Sequence, residues 1–271
     1  MNRGILLKAA RELWPITLLL GIAHCIAQGI LSFVLPTFAR ELTNQVVRIP
    51  FLQNIIRGLI GTDFYGAYGP ELFYSIAWVH PVVLAITWAH AIVVTTRVPA
   101  GEVDRGTIDV LLGLPVARWS LFVSETLVWL ASGAILLAFG ALGNWIGTER
   151  TSEIFHPELS RVMIVLLNQF GLYVAVGAMG WLASSLSDRR GRAMGVVFAV
   201  VLASFLLNYI SQFWDPARRL SFLGLLQYFR PIFILKEGTV PWKDLIVLFG
   251  LAASLWISAG VAFARRDLST T

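Results

Sequence analysis

The sequence predicts an all-α polytopic membrane protein with six transmembrane helices, and two observations carry that prediction. Of 271 residues, 57% are hydrophobic and 14% charged, with a mean hydropathy of +0.73. Soluble domains carry about 25% charged residues, so a water-soluble fold is excluded. Several apolar runs also exceed the roughly 18–20 residues that a helix needs to cross a bilayer. Lipid offers no hydrogen-bond partner to the backbone, so each run is expected to be helical.

Taken in order, the spans fall near residues 14–35, 74–96, 121–146, 162–186, 193–209 and 245–264. The fifth is the shortest. Pro15, Pro36 and Pro81 lie near helix starts or ends, where a missing N–H costs little. Arg3, Lys8 and Arg11 precede the first run as they would in a signal peptide, but no small-residue cleavage site follows. That run is read as a retained first helix. Cys25 lies inside it and is the only cysteine, so no internal disulfide can form and an inert thiol is expected.

Six spans put both termini on one side. The 21 lysines and arginines divide almost equally between the two sides. On the terminal side they crowd into short segments beside the span ends, where the positive-inside rule acts, so both termini are expected in the cytoplasm. The net charge of +5 is mild and points to anionic membrane lipid as a partner, not to nucleic acid.

Outside the spans, Ile5, Leu6, Ala9 and Leu13 recur at helical spacing opposite Lys8, Arg11 and Glu12. This predicts an N-terminal interfacial helix, or else a plain extension of the first span. Phe51, Leu52, Ile55, Ile56 and Leu59 predict a helix in the first long loop. Trp214, Phe222, Tyr228 and Phe229 suit the headgroup zone in the last one, with gating of an outer mouth as the sharper alternative.

Between spans two and three lies a charged segment. If residues 102–114 form one helix, Glu102, Arg105 and Asp109 share a face, and Arg105 can pair with both carboxylates. Val103, Val110, Leu111 and Leu114 lie roughly opposite, and Gly113 and Pro115 stop the helix. On spacing alone, a solvated loop helix with self-paired charges accounts for these residues equally well.

This segment resembles the cytoplasmic signature of ABC-2-type exporter permeases. The matching positions are Glu102, Gly106, Thr107, Leu111, Leu112, Pro115, Val116 and Arg118. The basic turn 187–193, the ending 263–268 and the run from Leu226 to Trp242 are similar to later parts of the same family. The likeness covers nearly the whole chain and implies a single permease domain over residues 1–271. It also implies a coupling helix between spans two and three, with Glu102, Asp104, Arg105, Gly106, Asp109 and Arg118 contacting a cytoplasmic ATP-binding subunit. A second permease copy, as a homodimer, is implied as well. No Gly-x4-Gly-Lys-Ser/Thr phosphate loop occurs, so ATP and Mg are expected on the partner subunit and no cofactor on this chain. Two positions depart from the pattern: Ala117 replaces a serine, and Glu125 stands where the family often carries Lys or Arg.

Glu125 sits near the inner end of span three, and a carboxylate within a span is costly. It can serve a structural or coupling role, reaching water or pairing with Arg118 or Arg97, or it can contact substrate. His80 and His90 are ten residues apart and point away from one helix face, and no grouping has metal-ligand spacing. Gln28, Asn144, Asn168, Gln169 and Asn208 are expected to bond neighbouring helices. Gly171, Gly177 and Gly180, and the pair Gly191 and Gly195, are expected to allow close helix approach. No serine has an assignable base, so no catalytic constellation is visible. An ATP-independent membrane enzyme or assembly factor would have to act through His80, His90 and Glu125. An ion channel would need a polar stripe, and none is evident along any span. The transported substrate is not written in these residues.

Overall fold

The computed structural model describes residues 3–38, 50–60, 69–113 and 116–266. Its helices are α1 (Arg3–Thr37), α2 (Pro50–Ile60), α3 (Pro70–Val79), α4 (Pro81–Thr95), α5 (Glu102–Asp104), α6 (Ile108–Leu112), α7 (Arg118–Thr148), α8 (Leu159–Ser185), α9 (Arg190–Ile210), α10 (Asp215–Arg219), α11 (Pro231–Glu237) and α12 (Trp242–Arg265). Among the described residues, six stretches are long and apolar enough to cross a bilayer: α1, α3 with α4, α7, α8, α9 and α12. They correspond one for one to the runs read from sequence. The end of the bundle that carries the first residues of α1 and the last of α12 is called proximal below, and the opposite end distal.

α8 is the most buried span and α1 and α9 the least. α4, α7, α9 and α12 all pack on α8, while α1 lies along α7 for much of its length and also touches α3 and α4. Glycines set the α1–α7 spacing. A Cβ on Gly143 would collide with the Cys25 carbonyl, and one on Gly147 with the Gly29 carbonyl. Gly177 and Gly180 similarly admit Trp129 and Thr95. Gly191 and Gly195 do not serve this purpose within the chain: nothing lies within 4 Å of a Cβ built at either. They sit on the outward face of α9.

Two boundaries differ from the sequence reading. Residues 3–13 do not form a separate interfacial helix; they are the first turns of α1, which runs 35 residues without interruption. At 1.5 Å per residue that is about 52 Å, well beyond a hydrocarbon core of about 30 Å, so a proximal stalk must project from it. Pro15 is therefore inside the helix, where it removes only the bond to the Arg11 carbonyl. The second span is two helices, because Pro81 pushes His80 out of helical geometry (φ −58°, ψ 133°). His80 Nδ1 then accepts the Val82 N–H at 3.3 Å and caps α4.

Candidate functional site: a buried charge network at the proximal end

After α4 the chain makes a π-helical turn, Arg97–Gly101, in which Val98 is extended ahead of Pro99. Two neighbours, Ser184 and Arg190, hold this turn and the end of α4 before it. The Ala100 N–H donates to Ser184 Oγ at 3.1 Å, from the end of α8. Arg190, at the start of α9, donates to the Val93 carbonyl at 2.9 Å. Gly101 lies so close that a Cβ there would sit 3.2 Å from Arg190 Cδ. The fixed turn aims Arg97 inward.

The Arg97 guanidinium, only 7% exposed, pairs through one terminal nitrogen with Glu12 of α1 and through the other with Glu125 of α7. Glu102 is 3.9 Å from it. Lys8 bridges Glu12 at 3.2 Å and Glu102 at 3.8 Å. Arg105 reaches Glu102 at 2.9 Å, and the Thr107 hydroxyl donates to the other Glu102 oxygen. Three carboxylates thus face three cations, which offsets much of the desolvation cost of placing Arg97, Glu102 and Glu125 out of water. The network ties the loop after span two to the stalk of α1 and to the first turns of α7.

The residues anticipated from sequence separate into groups. Glu102 is buried inside the network. Asp104, Arg105, Gly106 and Asp109 are exposed, as is Val110 at 75%. Arg118 is in neither group. It donates to the carbonyls of Arg266 (2.6 Å), Phe263 and Ala264 (both 3.4 Å), closing the C-terminal end of α12. Arg97, not Arg118, is the partner of Glu125. The expected continuous helix over 102–114 is broken. Gly106 adopts φ +71°, a left-handed geometry natural to glycine, and separates α5 from α6. Pro115, the anticipated stop, lies outside the described residues. Sequence reasoning passed over Lys8 and Glu12 as binding partners and held Arg97 only as one of two options for Glu125; the available signals were the i, i+4 spacing of Lys8 and Glu12 and the position of Arg97 directly after a span.

Deeper in the bundle the buried face of α1 from Thr17 through Gly21, His24 and Gln28 to Ser32 carries no apolar side chain. Thr17, His24, Gln28 and Ser32 share this face by helical spacing, a polar stripe that the sequence reading passed over, and it is packed inside the bundle. His90 Nε2 is 3.1 Å from Thr17 Oγ1, and its Nδ1 is 3.1 Å from the Tyr173 hydroxyl. Asn144 donates to Ser32 at 2.7 Å and Asn168 to the Tyr228 carbonyl at 3.0 Å. His24 Nδ1 lies 3.2 Å from the Leu136 carbonyl. The Gln28 amide has no hydrogen-bond partner among the described residues.

A charged loop clamped to two spans, at one end of a six-span bundle, is an arrangement suited to passing force into the membrane. The comparisons with known proteins bear on the family alone. The chain is 25% identical over 212 residues to "Probable multidrug ABC transporter permease YbhR" of Escherichia coli K12, and equally to the same-named protein of Escherichia coli O157:H7. The match takes in 73% of this chain but 55% of each relative, so the chain spans about half the length of these proteins. The profile of the family described as ABC-2 family transporter protein matches residues 22–268. With that match over nearly the whole chain and six apolar spans among the described residues, the protein belongs to the ABC-2 transporter family and is a multi-pass membrane protein.

Proposed function

We propose that this chain is the membrane-spanning subunit of an ATP-driven exporter, forming one permease domain with both termini in the cytoplasm. In this reading a separate subunit binds ATP and Mg and docks on the exposed side of α5 and α6, at Asp104, Arg105, Gly106, Asp109 and Val110. The observation that carries it is the Arg97 network, because any displacement of that loop acts directly on α7 through the buried pair with Glu125 and on α1 through the half-buried pair with Glu12. Glu102 is then the inner anchor of the coupling segment, and Arg118 secures α12 beside it. A second copy of the chain would mate along α9, where Gly191, Gly195, Ala199 and Ala203 present small residues outward at every fourth position. The relatives' name makes hydrophobic drug-like compounds the first substrates to try.

Gentle detergent extraction with mass spectrometry of the co-eluting proteins tests the partner: a stoichiometric phosphate-loop protein is expected. In that complex Arg105→Glu is predicted to leave membrane insertion intact and ATP hydrolysis measurable while abolishing dye export from vesicles. Undiminished export would remove α5 and α6 from the mechanism. If the chain elutes alone where other ABC complexes survive, the ATP-independent membrane enzyme or assembly factor becomes the better reading.

A further inference from the structure

On the membrane-facing side of the proximal half, α1 and α7 diverge to leave a groove of 520 Å³. Leu6, Trp14 and Leu18 form one wall and Leu127, Ala131 and Ile135 the other. Trp14 is 59% exposed and Ile135 51%, so these side chains are on the surface and not in the core. The floor holds two hydroxyls, and both are already committed. Thr17 donates to the Leu13 carbonyl at 2.8 Å and lies against His90, while Ser132 donates to the Trp129 carbonyl at 2.8 Å. The groove therefore offers shape and apolar area but no free group to recognise a polar solute.

Its proximal end is different. On a helix of 3.6 residues per turn, Arg3, Leu6, Ala10, Leu13 and Thr17 fall on one face, so Arg3 stands in line with the groove, and Arg11 lies on the adjoining face. Both are exposed, and neither forms an ion pair among the described residues. Lys8 is already engaged by Glu12 and Glu102 on the other side of the helix. An apolar slot with the Arg3 guanidinium in line with its proximal end and that of Arg11 beside it about two turns further along the helix, neither ion-paired among the described residues, matches one molecule in its surroundings.

We propose that the α1–α7 groove holds one acyl chain of an anionic phospholipid, whose phosphate is held by Arg3 and Arg11. Guanidiniums match phosphate oxygens in geometry and charge, and basic clusters beside a span attract anionic headgroups. The site depends neither on transport nor on an ATPase partner. It gives the α1 stalk, and with it the Arg97 network, a contact with the membrane itself.

The test uses the full chain in phosphatidylcholine nanodiscs, titrated with lipids brominated in mid-chain, which quench tryptophan. The Trp14 signal is the part of the fluorescence lost in Trp14→Phe. Brominated phosphatidylglycerol is expected to quench it at a several-fold lower mole fraction than brominated phosphatidylcholine. Arg3→Gln with Arg11→Gln should merge the two curves. Ala131→Phe, which fills the groove from an exposed position, should abolish the difference with helicity unchanged. Equal quenching by the two headgroups in the unaltered protein would overturn the proposal, leaving only bulk lipid contact. Trp14 that neither lipid quenches would overturn it too, and would mean that a second copy covers the groove. Displacement of the bromolipid by a lipophilic dye but not by phosphatidylglycerol would make the groove a solute site instead.

Discussion

Arg97 is held inside the protein by Glu12 and Glu125, neither of which is near it in sequence. Removing the cation alone leaves Glu125, 4% exposed, as an uncompensated buried charge, a loss of roughly 3–5 kcal/mol in comparable buried pairs. Arg97→Met is therefore expected to lower the detergent unfolding midpoint sharply. Arg97→Met combined with Glu125→Leu should recover most of the loss, because the isolated carboxylate is gone. If thermal unfolding finds the double variant no better than the single, the two side chains are not coupled. The pairing also accounts for the departure from the family pattern at position 125. A basic residue there would face Arg97, so the carboxylate belongs to this chain's own arrangement of charges.

At the scale of elements, glycine does three distinct jobs. Along the α1–α7 seam it allows backbone contact: a side chain on Gly143 must displace the Cys25 carbonyl. Overpacking of this kind typically costs about 1–3 kcal/mol, so Gly143→Val should give lower folded yield and a lower melting temperature. On α9, Gly195 meets nothing within the chain. Gly195→Val should leave the monomer's stability unchanged within about 0.5 kcal/mol yet reduce any dimer seen by light scattering. A dimer fraction unaffected by that change would remove α9 from the subunit interface. Gly106 does a third job. Its positive φ separates α5 from α6 and leaves Asp104, Arg105, Asp109 and Val110 exposed beside the break.

Across the whole molecule, the two ends of the bundle differ in how charge is placed. The proximal end gathers Lys8, Arg97, Arg105, Arg118, Arg190 and Arg266 into bonds with carboxylates or helix-end carbonyls. The distal end also pairs its cations, Arg161 with Glu158 and Arg218 with Asp215, but these pairs are far more exposed and lie among short helices and aromatic residues, with Arg57 over the Phe213 ring at 5.9 Å. The proposed orientation can be read directly from labelling. In a Cys25→Ser background, an impermeant maleimide added to intact cells should modify Glu153→Cys, between α7 and α8, and spare Asp109→Cys until the membrane is opened. The reverse pattern would invert the topology and take α5 and α6 away from any cytoplasmic ATPase.

The sequence by itself determined the six spans and the family. Apolar runs of that length have only one way to satisfy their backbone in lipid, and the Glu102–Arg118 signature is local. It also located the segment between spans two and three. The tertiary structure alone decided which residues work together there. Glu12, Arg97 and Glu125 lie 85 and 28 positions apart, a relation that spacing along a helix cannot express. The polar inner face of α1, by contrast, is written at helical spacing in Thr17, His24, Gln28 and Ser32, and the packing against α7 and α4 shows that it turns inward. Two breaks in the helices, at His80 and Gly106, depended on local geometry, the first imposed by the following proline and the second by a left-handed glycine.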